Sequence, residues 1–116
     1  MKKERIIVTG GSGSLGRTLI PKLVSEGFNC ISISRKSSVI GSVKNIKCDI
    51  TNFQKVNSII NQFKPNIIIH LAGLTGNLEC ENNPKIAFSS NVNGTLNILQ
   101  ASTKLRSKKD IQIRLF

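Results

Sequence analysis

Apolar residues fall along this chain in blocks with two different periods. Arg5–Thr9 (R-I-I-V-T) and Asn29–Ser34 (N-C-I-S-I-S) are short β-branched runs that predict strands. Residues 45–49 predict a third, short strand. Residues 66–70 (N-I-I-I-H) are apolar almost without alternation, the pattern of a strand covered on both faces. Between these runs the period lengthens. Leu15, Leu19 and Leu23 recur every four residues, with Ile20 and Val24 beside them, and predict a helix over residues 14–26 closed by Gly27. Pro21 inside it predicts a kink and not a break. Phe53, Val56, Ile59, Ile60 and Phe63 mark one face of a second helix. Thr51 at the N-cap with Gln54 at N3 forms a capping box for it, and Pro65 stops it. Residues 37–44 and 72–83 read as loops. Asn83 and Pro84 then start a third helix, which runs to Thr103 with an apolar face expected from Ile86, Val92, Leu96 and Leu99. Gly94 within it is unfavourable by roughly 1 kcal/mol against alanine, so close packing is its expected reason. Residues 111–116 are a candidate last strand.

This order, β-α-β-β-α-β-α with a final β, predicts a doubly wound α/β fold with a parallel sheet and right-handed crossovers. The 116 residues are enough for one small domain, and 39% hydrophobic content fits a globular chain. No apolar run approaches the length of a membrane span. The run behind the basic start is only Ile6, Ile7 and Val8, too short for a signal-peptide core, so a cytoplasmic location without a membrane partner is expected. The three cysteines form no C-x-x-C pair, and His70 is the single histidine, so neither a disulfide framework nor a metal site is indicated. Cys30 and Cys48 are expected as small buried apolar residues. The net charge of +11 is dispersed, with one cluster at Lys104, Arg106, Lys108 and Lys109. There is no Trp or Tyr to stack on bases, so a solvated lysine surface explains the charge better than a nucleic-acid partner.

The candidate chemistry begins at residues 9–16, T-G-G-S-G-S-L-G, between the first strand and the first helix. Gly11, Gly13 and Gly16 satisfy G-x-G-x-x-G, and Gly10, Gly13 and Gly16 lie three apart. Such a loop turns tightly out of a strand, lets backbone approach a pyrophosphate, and lets the helix pack on the sheet. The helix N-terminus offers free N–H groups to phosphate. The bland alternative is an ordinary Gly/Ser loop.

T-G-G-S-G-S-L-G resembles the T-G-x-x-G-x-x-G loop of the extended short-chain dehydrogenase/reductases, the NAD-dependent epimerase/dehydratase family. Three further stretches are similar, in order: Cys48-Asp49-Ile50-Thr51, Ile69-His70-Leu71-Ala72-Gly73 and Asn91-Val92-Asn93-Gly94-Thr95. The resemblance implies a Rossmann-type fold over residues 1–103, with residues 104–116 as a basic tail. It implies that Gly10, Gly13, Ser14, Leu15 and Gly16 cradle the pyrophosphate, that Asp49 and Ile50 face the adenine, and that Leu71, Ala72 and Gly73 line the cofactor. Asn91 would approach the nicotinamide end. Three local alternatives stand beside these roles. Asp49 can be a helix-start residue, His70 a satisfied polar group at a strand end, and Asn91 an exposed helix residue. The stretch E-C-E-N-N-P-K-I-A looks most like dTDP-4-dehydrorhamnose reductases, which implies a nucleotide-sugar substrate.

The chain departs from the pattern in one respect. The family's acid/base is a Tyr-x-x-x-Lys pair, and this sequence contains no tyrosine. The chain therefore reads as the first half of such an enzyme, without turnover by itself, or as a non-catalytic dinucleotide-binding or regulatory module. Cofactor choice follows from the second strand. NAD sites place an acid about 20 residues past the glycines to bind the ribose 2′-OH. Here Ser34 stands in that place, followed by Arg35 and Lys36. A forked guanidinium suits a 2′-phosphate, so NADP is expected, with NAD as second choice. Solvated loop charges are the alternative for Arg35 and Lys36.

Overall fold

Every strand pairing among the described residues is parallel. The structure, a computed structural model, describes residues 4–11, 13–36, 41–72, 82–106 and 112–115. In chain order the elements are β1 (Arg5–Thr9), α1 (Ser14–Ser25), β2 (Asn29–Ser34), β3 (Lys44–Lys47), α2 (Phe53–Phe63), β4 (Ile67–His70), α3 (Pro84–Arg106) and β5 (Gln112–Leu115). The sheet order is β3-β2-β1-β4-β5. β1 pairs with β2 from Arg5 opposite Asn29 to Thr9 opposite Ile33, and with β4 from Ile6 opposite Ile67 to Thr9 opposite His70. The chain runs outward from β1 to β3, then returns to the other side of β1. That reversal is a topological switch point, and it opens a crevice beyond the carboxyl ends of β1 and β4.

Two apolar layers cover the sheet. Ile6, Val8, Cys30 and Ile69 pack with Ile20 of α1 on one face. Ile7, Ile31, Ile33 and Ile68 pack with Val56, Ile59 and Ile60 of α2 and Ile98 of α3 on the other. Burial on both faces is what the unalternating Ile67–Ile69 run demands. Cys30 and Cys48 are buried as expected, and burial pushes the Cys30 thiol up to about 11. Cys80 lies outside the described residues. Among the described residues no helix is long and apolar enough to cross a membrane, and no group of three His, Cys, Asp or Glu could hold a metal.

Four local expectations are corrected. Asn52, not Thr51, caps α2: its Oδ1 accepts the Lys55 N–H at 3.2 Å. The Thr51 hydroxyl is engaged instead with the Asp49 carboxylate at 2.8 Å, a stronger charge-assisted bond. Leu15 is 57% exposed and leaves the α1 stripe, whose buried positions are Gly16 and Ile20. The helix α3 continues to Arg106, past Thr103. Its buried face is also not the one expected. Ile86, Val92, Leu96 and Leu99 are exposed, together with Phe88, while Ala87, Ile98, Ala101 and Leu105 are buried. Small residues at Ala87, Gly94 and Ala101, seven apart, let the α3 backbone lie close to its neighbours. A Cβ on Gly94 would collide with the Ile50 side chain, so close packing does explain that glycine.

One buried polar cluster ties β1, β4 and α3 together. The Thr9 Oγ1 accepts N–H bonds from Leu71 and Ala72, both at 3.1 Å, and the Leu71 N–H is shared with the Thr9 carbonyl. Two incoming donors fill both lone pairs of a hydroxyl, so Thr9 donates its own proton to His70 Nδ1 at 2.6 Å. His70 Nε2 then carries the ring proton and donates it to Thr95 Oγ1 at 3.0 Å. Burial holds the His70 pKa below the usual histidine range. His70 is therefore a satisfied neutral group at a strand end.

Two outcomes follow. The unfolded chain takes up a proton on His70 near pH 6.5 while the folded chain does not, so stability falls as pH drops below about 6.5 and is independent of His70 above it. Urea midpoints measured from about pH 8 to about pH 5 should show this slope, and His70→Gln should flatten it. Thr9→Val leaves the Ala72 N–H without its acceptor and should cost about 2 kcal/mol in the same assay.

Candidate functional site

The chain leaves β1 through a turn that only glycine fits. Gly10 has a φ of 72°, and its N–H donates to the Ile33 carbonyl at 2.7 Å. A Cβ there would lie 2.8 Å from the backbone of Ala72. Gly16 is equally constrained, because its Cβ would lie 2.5 Å from Gly11 Cα. Gly13 differs. Its φ of −75° and ψ of 174° suit any residue, and the nearest atom to an added Cβ is the Gly10 carbonyl oxygen at 3.4 Å. That is an ordinary van der Waals contact, and packing among the described residues asks for no glycine there. The same residue is the N-cap of α1 and supplies no side-chain bond, and the first turn carries no acid. Among the described residues, the N–H groups of Ser14, Leu15 and Gly16 thus head the helix without a side-chain acceptor. Gly13, Ser14 and Leu15 are all exposed.

A second group of candidates lies past β2 and β3. Ser34 is buried, and its hydroxyl donates to the Lys36 carbonyl at 2.8 Å. Asn45 Nδ2 donates to the same carbonyl at 3.1 Å. These bonds hold the turn that presents Arg35 and Lys36, both exposed. Across the turn stands Asp49, exposed, whose Oδ1 accepts the Thr51 N–H at 3.0 Å as well as the Thr51 hydroxyl. The Thr51 N–H holds the Asp49 carboxyl below its ordinary value, burial opposes this, and the Thr51 hydroxyl and the Arg35 charge add to the lowering. Asp49 is therefore both a turn-former beside the α2 cap and a carboxylate that stays ionised. Ile50 behind it is buried, and Asn97 Nδ2 of α3 donates to its carbonyl at 2.8 Å.

The third group follows β4. Leu71 and Ala72 are half-buried beside Gly10, held by Thr9. Gly73 lies outside the described residues. Asn91 is half-buried on α3, one turn before Thr95 and so on the helix face that meets His70. The fold thus gathers the candidates of β1, β2, β3 and β4 at one edge of the sheet, the carboxyl edge. Thr9, Asn45, Thr95 and Asn97 support them; Thr9 opens the glycine loop and Thr95 closes the stretch of residues 91–95, whereas Asn45 and Asn97 lie in no motif. The sequence signal for Asn97 is its place within two turns of Asn91 on one helix.

The arrangement can receive an extended anionic ligand. Uncapped N–H groups and an open glycine suit a diphosphate, an ionised Asp49 suits an amine-bearing ring, and Arg35 and Lys36 suit further negative charge. The description NAD dependent epimerase/dehydratase family fits residues 6–114. CDP-paratose 2-epimerase of Salmonella typhi is 32% identical over 118 residues, which cover 92% of this chain and 35% of that protein. The dTDP-4-dehydrorhamnose reductase of Aggregatibacter actinomycetemcomitans is 34% identical over 104 residues, covering 89% of this chain and 32% of that one. The solved L-threonine dehydrogenase of Clostridium difficile superposes with a TM-score of 0.86 at 27% identity, over 99% of this chain and 36% of that one. The chain spans about a third of the length of these relatives. A match that reaches from the first strand to the last leaves no element of the sheet outside it, and on that ground the chain belongs to the NAD-dependent epimerase/dehydratase family.

Proposed function

We propose that this chain binds a nicotinamide dinucleotide across the carboxyl edge of its sheet, as the cofactor-binding part of an oxidoreductase or epimerase that acts on a nucleotide sugar. The observation that carries the reading is Gly13, a glycine that neither its backbone conformation nor packing among the described residues requires. A pyrophosphate resting on the head of α1 requires it. Gly10 and Gly16 shape the loop, and the Ser14, Leu15 and Gly16 N–H groups receive the phosphate oxygens. Asp49 and Ile50 meet the adenine. Leu71, Ala72 and Gly73 line the path toward the nicotinamide, where Asn91 stands. The nicotinamide supplies hydride exchange with a sugar carbon when bound. The protein's own part is to hold the dinucleotide by backbone donors.

The substrate reading is a dTDP-sugar and a reductase-like reaction. It rests on the E-C-E-N-N-P-K-I-A stretch and on the 34% identity to dTDP-4-dehydrorhamnose reductase. The cofactor reading is NADP over NAD. It rests on a β2 end that carries Ser34 instead of an acid and presents exposed Arg35 and Lys36 on a turn braced by Ser34 and Asn45. A second reading is a dinucleotide-binding or regulatory module without chemistry, supported by the candidates at the carboxyl edge all being cofactor-binding residues. Hydride transfer to a nucleotide sugar separates the two.

Calorimetric titration tests the binding reading. Gly13→Val should keep the parent's melting temperature and lose dinucleotide binding, since a Cβ is harmless to the fold there but occupies the phosphate's place. A Gly13→Val variant that binds as the parent does overturns the phosphate-loop assignment. For cofactor choice, the parent should prefer NADP, and Arg35→Ala should weaken NADP about tenfold while leaving NAD unchanged. A parent that prefers NAD overturns that choice.

A further inference from the structure

The turn that carries Asp49 is shaped locally but located remotely. Its internal bonds are short-range: the Asp49 carbonyl accepts the Asn52 N–H at 2.9 Å, and Asp49 Oδ1 takes both Thr51 donors. The strand before it is anchored by the Cys48 N–H on the Ser34 carbonyl at 2.9 Å. What meets Ile50 itself comes from α3. Asn97 Nδ2 donates to the Ile50 carbonyl from 47 positions away. One turn earlier on α3, Gly94 gives the Ile50 side chain its room, since a Cβ there would collide with Cδ1 and lie 2.6 Å from Cγ1. Ile50 is 5% exposed and packs in the core beneath α3. The amide of Asn97 pulls the Ile50 backbone toward α3, and the bare backbone of Gly94 sets how near it comes.

We propose that Asn97 and Gly94 are positioning residues that aim the Asp49 carboxylate at the exocyclic amine of the dinucleotide's adenine, and thereby make the site select adenine over hypoxanthine. This rests on the dinucleotide-binding reading above. The carboxylate has one oxygen to give. Oδ1 is taken by Thr51, and Oδ2 has no partner among the described residues. A carboxylate oxygen accepts from an amine and repels a carbonyl oxygen. Adenine carries an amine at the position where hypoxanthine carries an oxygen. Discrimination of this kind fails when the acceptor is displaced by a fraction of an ångström, so it depends on whatever fixes Ile50. Asn97 never touches the base. Its effect is exerted through the peptide that follows Asp49.

The test is a pair of titrations, NADP against its hypoxanthine analogue, on the parent, Asn97→Leu and Gly94→Ala, repeated with the NAD pair. Asn97 is half-exposed, so Asn97→Leu leaves the core intact, and melting temperatures report folding separately. The parent should favour the adenine form about tenfold, and both variants should bring the ratio below about threefold by losing affinity for the adenine form. A purely structural role would weaken both forms equally and leave the ratio unchanged, which overturns the proposal while dinucleotide binding stands. A parent that binds neither form overturns the dinucleotide reading and this proposal with it. Should Gly94→Ala fail to fold, the Asn97→Leu ratio alone decides.

Discussion

The ends of β1 and β4 lie so close together that one methyl group on Gly10 would strike the Ala72 backbone. The rest of the site depends on that approach. Parallel strands bring their carboxyl ends to the same edge, but they do not by themselves bring two loops into contact. Here Gly10 removes the steric barrier, and Thr9 adds a bond across the gap to Ala72. The hydroxyl proton left over then orients His70, and His70 reaches Thr95 on α3. A chain of three side chains therefore registers two strands and a helix on one another, and its first two members, Thr9 and His70, have their donors and acceptors used. Since His70 stays neutral, the described residues contain no buried charge to compensate.

The helix α3 has two faces of opposite character. The inner face sets the small residues Ala87, Gly94 and Ala101 among the buried Ile98 and Leu105, and it carries two polar tethers, Thr95 to His70 and Asn97 to Ile50. The outer face carries Ile86, Phe88, Val92, Leu96 and Leu99 in solvent. Large side chains at Ala87, Gly94 and Ala101 would hold the helix away from its neighbours. Small ones let its backbone approach closely enough for hydrogen bonds to specify its position. Location by polar tethers is more exacting than location by greasy contact, because a hydrogen bond tolerates little displacement.

Much of this was legible from residue order. β1 and β2 occupy the predicted residues, and the α2 face is the expected one. Long runs with one period leave little choice. β3 was displaced by one or two residues because Cys48 and Asp49 leave the ladder for a turn that Asp49 itself stabilises. The cap moved from Thr51 to Asn52 because Asp49 competes for Thr51, a contest between neighbours that spacing does not decide. The buried face of α3 was misread because apolar periodicity weighs large side chains, whereas Ala87, Gly94 and Ala101 bury by being small. The glycine loop and strand-end candidates announced themselves. Asn97 did not, since its partner lies 47 positions away.

The all-parallel sheet also governs how the molecule is assembled in time. No two neighbouring strands can be joined by a tight turn, so no hairpin can form early and template the rest. The central pair, β1 and β4, closes a loop of about 60 residues before its first contact is rewarded. Folding must begin with entropy lost over long stretches, which places this chain among slow folders for its size. During that delay the isoleucine runs of β1 and β4 are unpaired, and they are the segments by which newly made chains would adhere to one another.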